Sequence, residues 1–266
     1  MFEIERYPVS KDNLKKWVKF IWHFKADCSD VHHKLLPMNS IDIVINLADD
    51  IVYETKNINI VAPKLHVNGL RNQHSFLYQN GNIDVWGISF YAFGFYPFIN
   101  KSLESIQNEI IDLNLLSKSL ADKLNIAVKK ETTQCNIESI LEALDSELKI
   151  SDSYLVRSEL ISEFMLADNI PISLFCLNNG INQRTFERFV LKMTGYTPTN
   201  LRRIRRYQVA SNQLLTNEYP KIVEVVYANN YTDQAHFTKD FKSYSGTSPR
   251  LFKKEKITVI ENSNYI

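Results

Sequence analysis

The sequence predicts an α+β protein in two parts: a β-rich N-terminal region followed by helices, and an all-helical C-terminal domain. Three observations carry this prediction. Hydrophobic residues alternate with a period of two before about residue 100. A helical period replaces it afterwards. A helix–turn–helix pattern then occurs twice, about 50 residues apart. The expected division is residues 1–150 and 155–256, with the repeated units at about 172–195 and 222–246.

Taken in chain order, Leu14, Trp17, Val18 and Ile21 predict a short amphipathic helix after an N-cap at Ser10. "SIDIVINLAD" is a strand with Ile41, Ile43, Ile45 and Leu47 on one face. "HSFLYQNGNIDVWGISF" predicts a hairpin, because Asn80-Gly81 separates two aliphatic-aromatic runs and both residues tolerate positive φ. In "NIESILEALDSELK", Ile137, Ile140, Leu141, Leu144 and Leu148 form one apolar helical stripe, suited to a core or to a dimer contact.

Composition narrows the function classes. The chain has 266 residues, 44% hydrophobic and 23% charged, the balance of a globular protein. The longest nearly unbroken apolar run, Ile88–Ile99, is well short of the roughly 20 residues of a membrane span. The start, "MFEIERYPVSKDN", has charges where a signal peptide needs an apolar stretch. Cys28, Cys135 and Cys176 are scattered and odd in number, so neither a disulfide framework nor a zinc site is expected, and the setting is cytoplasmic. No phosphate-cradling glycine loop, nucleophile elbow or His-Glu-x-x-His appears, so no enzyme, cofactor or metal is expected. His32-His33 is a poor metal pair, since adjacent strand residues face opposite ways. Trp22, Trp86, Phe90, Phe93 and Phe95 suit core packing, and the first four are the candidate lining of a ligand pocket.

The net charge of +1 conceals an asymmetry. Residues 1–156 carry 16 Lys/Arg against 20 Asp/Glu, net −4, whereas residues 171–256 carry 14 against 6, net +8. That +8 segment holds the repeat. "NQRTFERFVLKMTGYTP" (Asn182–Pro198) aligns with "DQAHFTKDFKSYSGTSP" (Asp233–Pro249). Phe186, Val190 and Met193 match Phe237, Phe241 and Tyr244, each set at i, i+4 and i+7; Gly195 matches Gly246 and Pro198 matches Pro249. Upstream, "SLFCLNNGI" pairs with "VEVVYANNY", putting Gly180 and Asn230 where a left-handed residue is required.

Such a unit can read duplex DNA, because an α-helix fits the major groove and presents its N-terminal side chains to base edges. The apolar stripe anchors that helix and leaves the opposite face free. Candidate base-reading residues are Gln183, Arg184, Glu187 and Arg188 in the first copy. In the second they are Gln234, Ala235, His236, Thr238 and Lys239. Arg pairs with guanine and Gln with adenine. Two arginines make the first face the more discriminating, whereas Ala235 offers only a methyl group. Candidate phosphate contacts are Asn182, Arg202, Arg203, Lys242 and Lys253. The joining helix "NLRRIRRYQVASNQLL" spans roughly 20 Å over about 15 residues. Its arginines are split between phosphate contact and pairing with Glu187 or Glu218.

These residues resemble the DNA-binding domain of AraC/XylS-type transcriptional regulators. "EVVYANNYTDQAHFTKDFKSYSGTSPRLFKK" is similar almost position by position to that family's second unit and closing segment. Gly180–Leu215 is similar to its first unit and linker, and the resemblance covers about residues 155–254. It carries base-reading positions over to Arg184, Glu187 and Arg188 in the first copy and to Gln234, Ala235, His236, Thr238 and Lys239 in the second. Asn230 and Val226 stand where the family usually has Gly and Ala. More weakly, "YPVSKDNLKKWVKFIWHF", "LLPMNSIDIVINL" and "VWGISFYAFGFYPF" resemble a sensor-like domain of some such regulators, which implies a small barrel-like β unit followed by helices. The resemblance implies a transcriptional regulator whose partners are double-stranded DNA, a small-molecule effector, a second copy of the chain and, for an activator, RNA polymerase. The alternatives are an N-terminal region used only for dimerisation, or an enzyme with a DNA-binding tail.

Overall fold

A computed structural model describes residues 4–55, 57–167, 170–216 and 221–255. Glu218 and Lys256, used in the sequence reading, lie outside the described residues.

Eight antiparallel strands come first: β1 (Glu5–Pro8), β2 (Val18–Leu35), β3 (Ser40–Asn46), β4 (Ile51–Thr55), β5 (Ile58–Val61), β6 (Leu65–Asn68), β7 (Ser75–Tyr91) and β8 (Ile110–Asp112). They form one sheet in the order β1-β2-β7-β3-β6-β8, with β4 paired to β5 and to the first part of β7. A 3₁₀ turn at Leu103–Ile106 and four helices complete this half: α1 (Tyr96–Ile99), α2 (Leu113–Leu116), α3 (Lys118–Ala127) and α4 (Thr133–Glu147). The C-terminal half is all helical: α5 (Asp152–Leu166), α6 (Ile172–Asn178), α7 (Gln183–Thr194), α8 (Pro198–Leu215), α9 (Ile222–Ala228), α10 (Gln234–Ser245) and α11 (Pro249–Glu255).

Two expected elements fail. The Asn80-Gly81 pair is not a hairpin turn: β7 runs unbroken through it and pairs with β2 along nearly its whole length. A register shift between Ala26 and Ser29 puts an extra residue of β2 opposite β7 beside the pair, a bulge in the long ribbon, and Gly81 there takes a positive φ. Nor do Leu14 and Trp17 begin a helix; residues 12–17 are turns and β2 starts at Val18. Both side chains are fully buried, so burial, not helical repetition, accounts for their spacing.

The sheet separates two apolar clusters, and strand parity assigns residues between them. Ile41, Ile43, Ile45, Trp86, Ile88 and Phe90 join the main core with helices α1, α3 and α4, including the stripe from Ile137 to Leu144. Val31, Val44, Tyr53, Ile83 and Val85 face the other way, with Trp22 and Phe24 packed against them. Leu47, expected on the same face as Ile41, Ile43 and Ile45, lies past the strand end and is exposed.

Candidate nucleic-acid interface

Helix α6, a short turn and α7 form the first unit; α9, its turn and α10 form the second. Their backbones match bond for bond. Gly180 N–H donates to Leu177 O and Asn230 N–H to Tyr227 O, each at 3.1 Å. Ile181 donates to Cys176 O at 3.0 Å, and Tyr231 to Val226 O at 3.1 Å. The turn residues lie in the left-handed region, Gly180 at φ 62° and Asn230 at φ 55°. Asn is one of the few non-glycine residues that tolerates this region. Asn179 and Asn229 each return their side-chain amide to a carbonyl of the preceding helix, Phe175 and Val225.

The second helices begin alike. Asn182 caps α7 by accepting from Thr185 N–H at 3.3 Å, and Asp233 caps α10 by accepting from His236 N–H at 2.7 Å. Phe186, Val190 and Met193 are buried, as are Phe237, Phe241 and Tyr244. Gln183, Arg184, Arg188, Gln234, Ala235, His236 and Lys239 are exposed, with Glu187 and Thr238 half-buried. On α7, Gln183 Nε2 donates to Glu187 Oε1 at 2.8 Å. On α10, His236 Nδ1 is 3.1 Å from the Thr232 hydroxyl. Cys176 is a buried core thiol whose pKa burial pushes up.

Between the units lies a cleft of about 510 Å³, walled by Arg202, Arg203, Arg205 and Arg206 of α8 and reached by His236 and Asn230. Its arginines are not equivalent. Arg203 forms an ion pair with the buried Asp240 of α10, Arg206 lies 3.8 Å from the other oxygen of that carboxylate, and the Tyr231 hydroxyl donates to it at 3.3 Å. The Asp240 pair raises the Arg203 pKa, and the Arg206 guanidinium stacks over Tyr231 at 4.2 Å. Arg202 departs from expectation. It stacks 3.6 Å from the centre of the Phe164 ring and donates to the carbonyls of Phe164 and Ile170. It ties α8 to α5 instead of facing a phosphate.

Of the four pocket residues, Trp22 and Phe93 line a cavity on the sheet face that carries Val31, Val44 and Tyr53, and Trp86 and Phe90 do not. Parity is the reason: Trp22 pairs with Gly87, one residue out of phase with Trp86. Trp86 stacks on His23 at 4.2 Å in the opposite core. Sequence reading missed the polar side chains of that cavity, Lys19, Asp42 and Arg71. Their signal was available as charged residues embedded in, or next to, apolar strands.

Residues 176–255 match the family described as helix-turn-helix domain. This segment is an AraC-type helix-turn-helix DNA-binding domain. Residues 7–112 match a family described as a domain of unknown function, DUF6597. No curated protein matches the chain. Among solved structures it is similar to ToxT of Vibrio cholerae, with 15% identity over 90% of this chain and 97% of that one, and a TM-score of 0.48. It is also similar to ToxT bound to an unsaturated fatty acid, with 16% identity over 91% and 96% of the two chains and a TM-score of 0.47. The C-terminal domain of AraT, a response regulator of Geobacillus stearothermophilus, has 16% identity over 40% of this chain and 90% of its own, with a TM-score of 0.36. The AraC-type domain thus contains α8, α7, the whole second unit and the end of α6, while the cavity lies partly outside it. Among the described residues no helix is long and apolar enough to cross a membrane.

Proposed function

We propose that this regulator inserts α7 and α10 into successive major grooves of one DNA duplex, under control of a small effector bound to its N-terminal half. The observation that carries the reading is the matched exposure of two reading faces on helices anchored by the same buried i, i+4, i+7 stripe. Base edges are contacted by Gln183, Arg184, Glu187 and Arg188 and by Gln234, Ala235, His236, Thr238 and Lys239. Asn182, Lys242, Lys253 and the exposed side of Arg203 contact phosphates. Successive grooves recur about every 34 Å, and α8, at about 1.5 Å per residue, is the rigid spacer. Cytoplasmic location follows from this role.

Selection of bound duplexes from a random pool defines the site. On the selected duplex, Arg188→Ala and Lys239→Ala each reduce preference over random DNA by about 5- to 150-fold, the equivalent of one lost base contact of about 1–3 kcal/mol. Binding of wild type falls steeply with salt as phosphates are neutralised. Unchanged preference in both variants would sink the assignment of the reading faces.

A homodimer is supported by β5, an edge strand whose Ile58 and Val61 are more than half exposed, since an unpaired apolar edge is a template for another strand. Sedimentation equilibrium tests it; a monomer at working concentration removes it. An activating role would add RNA polymerase as a partner.

A further inference from the structure

Asp240 lies one turn after His236 on α10 and is buried, with both carboxylate oxygens engaged. Arg203 pairs with Oδ1; the Tyr231 hydroxyl donates to Oδ2 at 3.3 Å, and Arg206 stands 3.8 Å from it. The carboxylate thus draws two guanidiniums of α8 onto α10. Neither is fully enclosed, since 45% of the Arg203 side chain and 30% of that of Arg206 are exposed. The Arg206 Nε is buried without a hydrogen-bond partner, so that side chain is held inward by charge and by its stacking on Tyr231. Arg203, Arg206 and His236 line the same cleft. Because His236 is a base-reading candidate, this cleft opens toward DNA in the reading proposed above.

The duplicated unit provides a comparison. Asn182–Pro198 aligns with Asp233–Pro249, which makes Phe189 the counterpart of Asp240. Phe189 is equally buried, packs edge-on against Phe186 at 5.3 Å, and is covered by the Arg157 guanidinium of α5 at 5.6 Å. An apolar side chain therefore serves at this position in the first unit. Well-packed apolar groups commonly match or exceed a buried ion pair in stability, so the architecture by itself does not call for a carboxylate. What the carboxylate changes is charge. Arg203 and Arg206 with Asp240 present a net +1 to the cleft, and without it they would present +2.

We infer that Asp240 limits the affinity of the second unit for DNA, by holding Arg203 and Arg206 inward and cancelling one of their two charges beside the duplex. This deepens the DNA reading proposed above and rests on it. A cation brought to a phosphate releases condensed counterions and tightens binding without regard to sequence. A carboxylate at that place removes one such contact from every duplex alike. Base preference is left to the exposed faces of α7 and α10.

The test follows binding of the full-length chain to the selected duplex and to a random one by fluorescence anisotropy, between about 0.05 and 0.2 M salt. Asp240→Asn steepens the plot of log affinity against log salt by about 0.9, the equivalent of one added phosphate contact, on both duplexes. At 0.1 M salt both bind about eightfold tighter, and the ratio between them is unchanged. Asp240→Glu, which keeps the charge, retains the wild-type slope; a purely structural role would not separate the two variants in this way. Circular dichroism checks folding. An unchanged or shallower slope in folded Asp240→Asn overturns the inference, as does an equal gain in Asp240→Glu. Should Asp240→Asn not fold, Arg206→Gln decides, since it leaves the Arg203–Asp240 pair in place. Its slope is shallower by about 0.9, and an unchanged slope places the cluster out of reach of phosphate and overturns the inference. A wild type that binds DNA but prefers no duplex overturns the reading faces alone, because the slope on random DNA is measured independently.

Discussion

His66, fully buried, has its tautomer set by its neighbours. Nδ1–H donates to Pro63 O at 2.7 Å, so Nε2 must accept from the Tyr53 hydroxyl at 3.0 Å, whose oxygen accepts in turn from Asn68 Nδ2 at 3.0 Å. Burial pushes its pKa down to about 4. An unfolded histidine titrates near 6.5, so between that pH and about 4 the unfolded chain binds the extra proton and stability falls as pH falls. Urea unfolding at pH 7 and pH 4.5 measures the loss; wild type gives up about 2–3 kcal/mol more than His66→Gln. An equal loss in both would place the acid sensitivity elsewhere. Nothing local marked this histidine, since its burial comes from β3 and β8 on either side of β6. Arg202 teaches the same lesson: four arginines look alike in sequence, and only the position of the Phe164 ring distinguishes the one that packs inward.

The helix–turn–helix units were legible at the element scale because repetition supplies an internal control. Two stretches with the same spacing of Phe, Gly and Pro cannot both be accidental surface helices. Their turns also carry a prediction. Replacing Asn230 by Ala leaves a residue poorly suited to φ 55° and costs about 1–2 kcal/mol, whereas Asn230→Gly is close to neutral. Thermal unfolding of the two variants separates them, and equal melting temperatures would remove the requirement for a left-handed residue. The Asn80-Gly81 hairpin was misread because the same pair serves a tight turn and a bulge equally well. What decides is whether a partner strand is long enough to run past it. The 18-residue β2, itself partly mistaken for a helix, is that partner.

Across the whole molecule, one N-terminal surface touches the ends of both reading helices. Gly195, the C-cap of α7, packs so closely on Leu103 that a Cβ would lie 2.6 Å from its carbonyl oxygen. Gly246, the C-cap of α10, packs on the His74 ring, where a Cβ would lie 2.4 Å from a ring atom. Beside them Tyr196 donates its hydroxyl to Leu70 O at 2.7 Å. The loop carrying Leu70 and His74 is joined to the segment just after the 3₁₀ turn by the bond from Asn108 N–H to Leu70 O. On the DNA reading proposed above, the N-terminal half helps α8 to set the spacing of the two reading helices. Loosening this contact with His74→Ala and Tyr196→Phe together is expected to weaken discrimination against a one-base-pair insertion between half-sites by roughly 2- to 30-fold. Fluorescence anisotropy on paired duplexes measures it, and an unaltered spacing preference would mean that α8 alone suffices.

The sequence by itself determined the α+β division, the duplicated units, their anchors and the faces left exposed, because each follows from short-range periodicity and local backbone demands. Only the tertiary structure decided which aromatic residues border the cavity, since that depends on strand parity across a bulge between β2 and β7. It likewise decided which arginines turn inward, and that the cavity is shared with α8. Those facts rest on contacts between residues far apart in the chain, such as Asn39 with Leu201 and Leu70 with Tyr196. No local pattern specifies such pairs; they form when the two halves bury surface against each other.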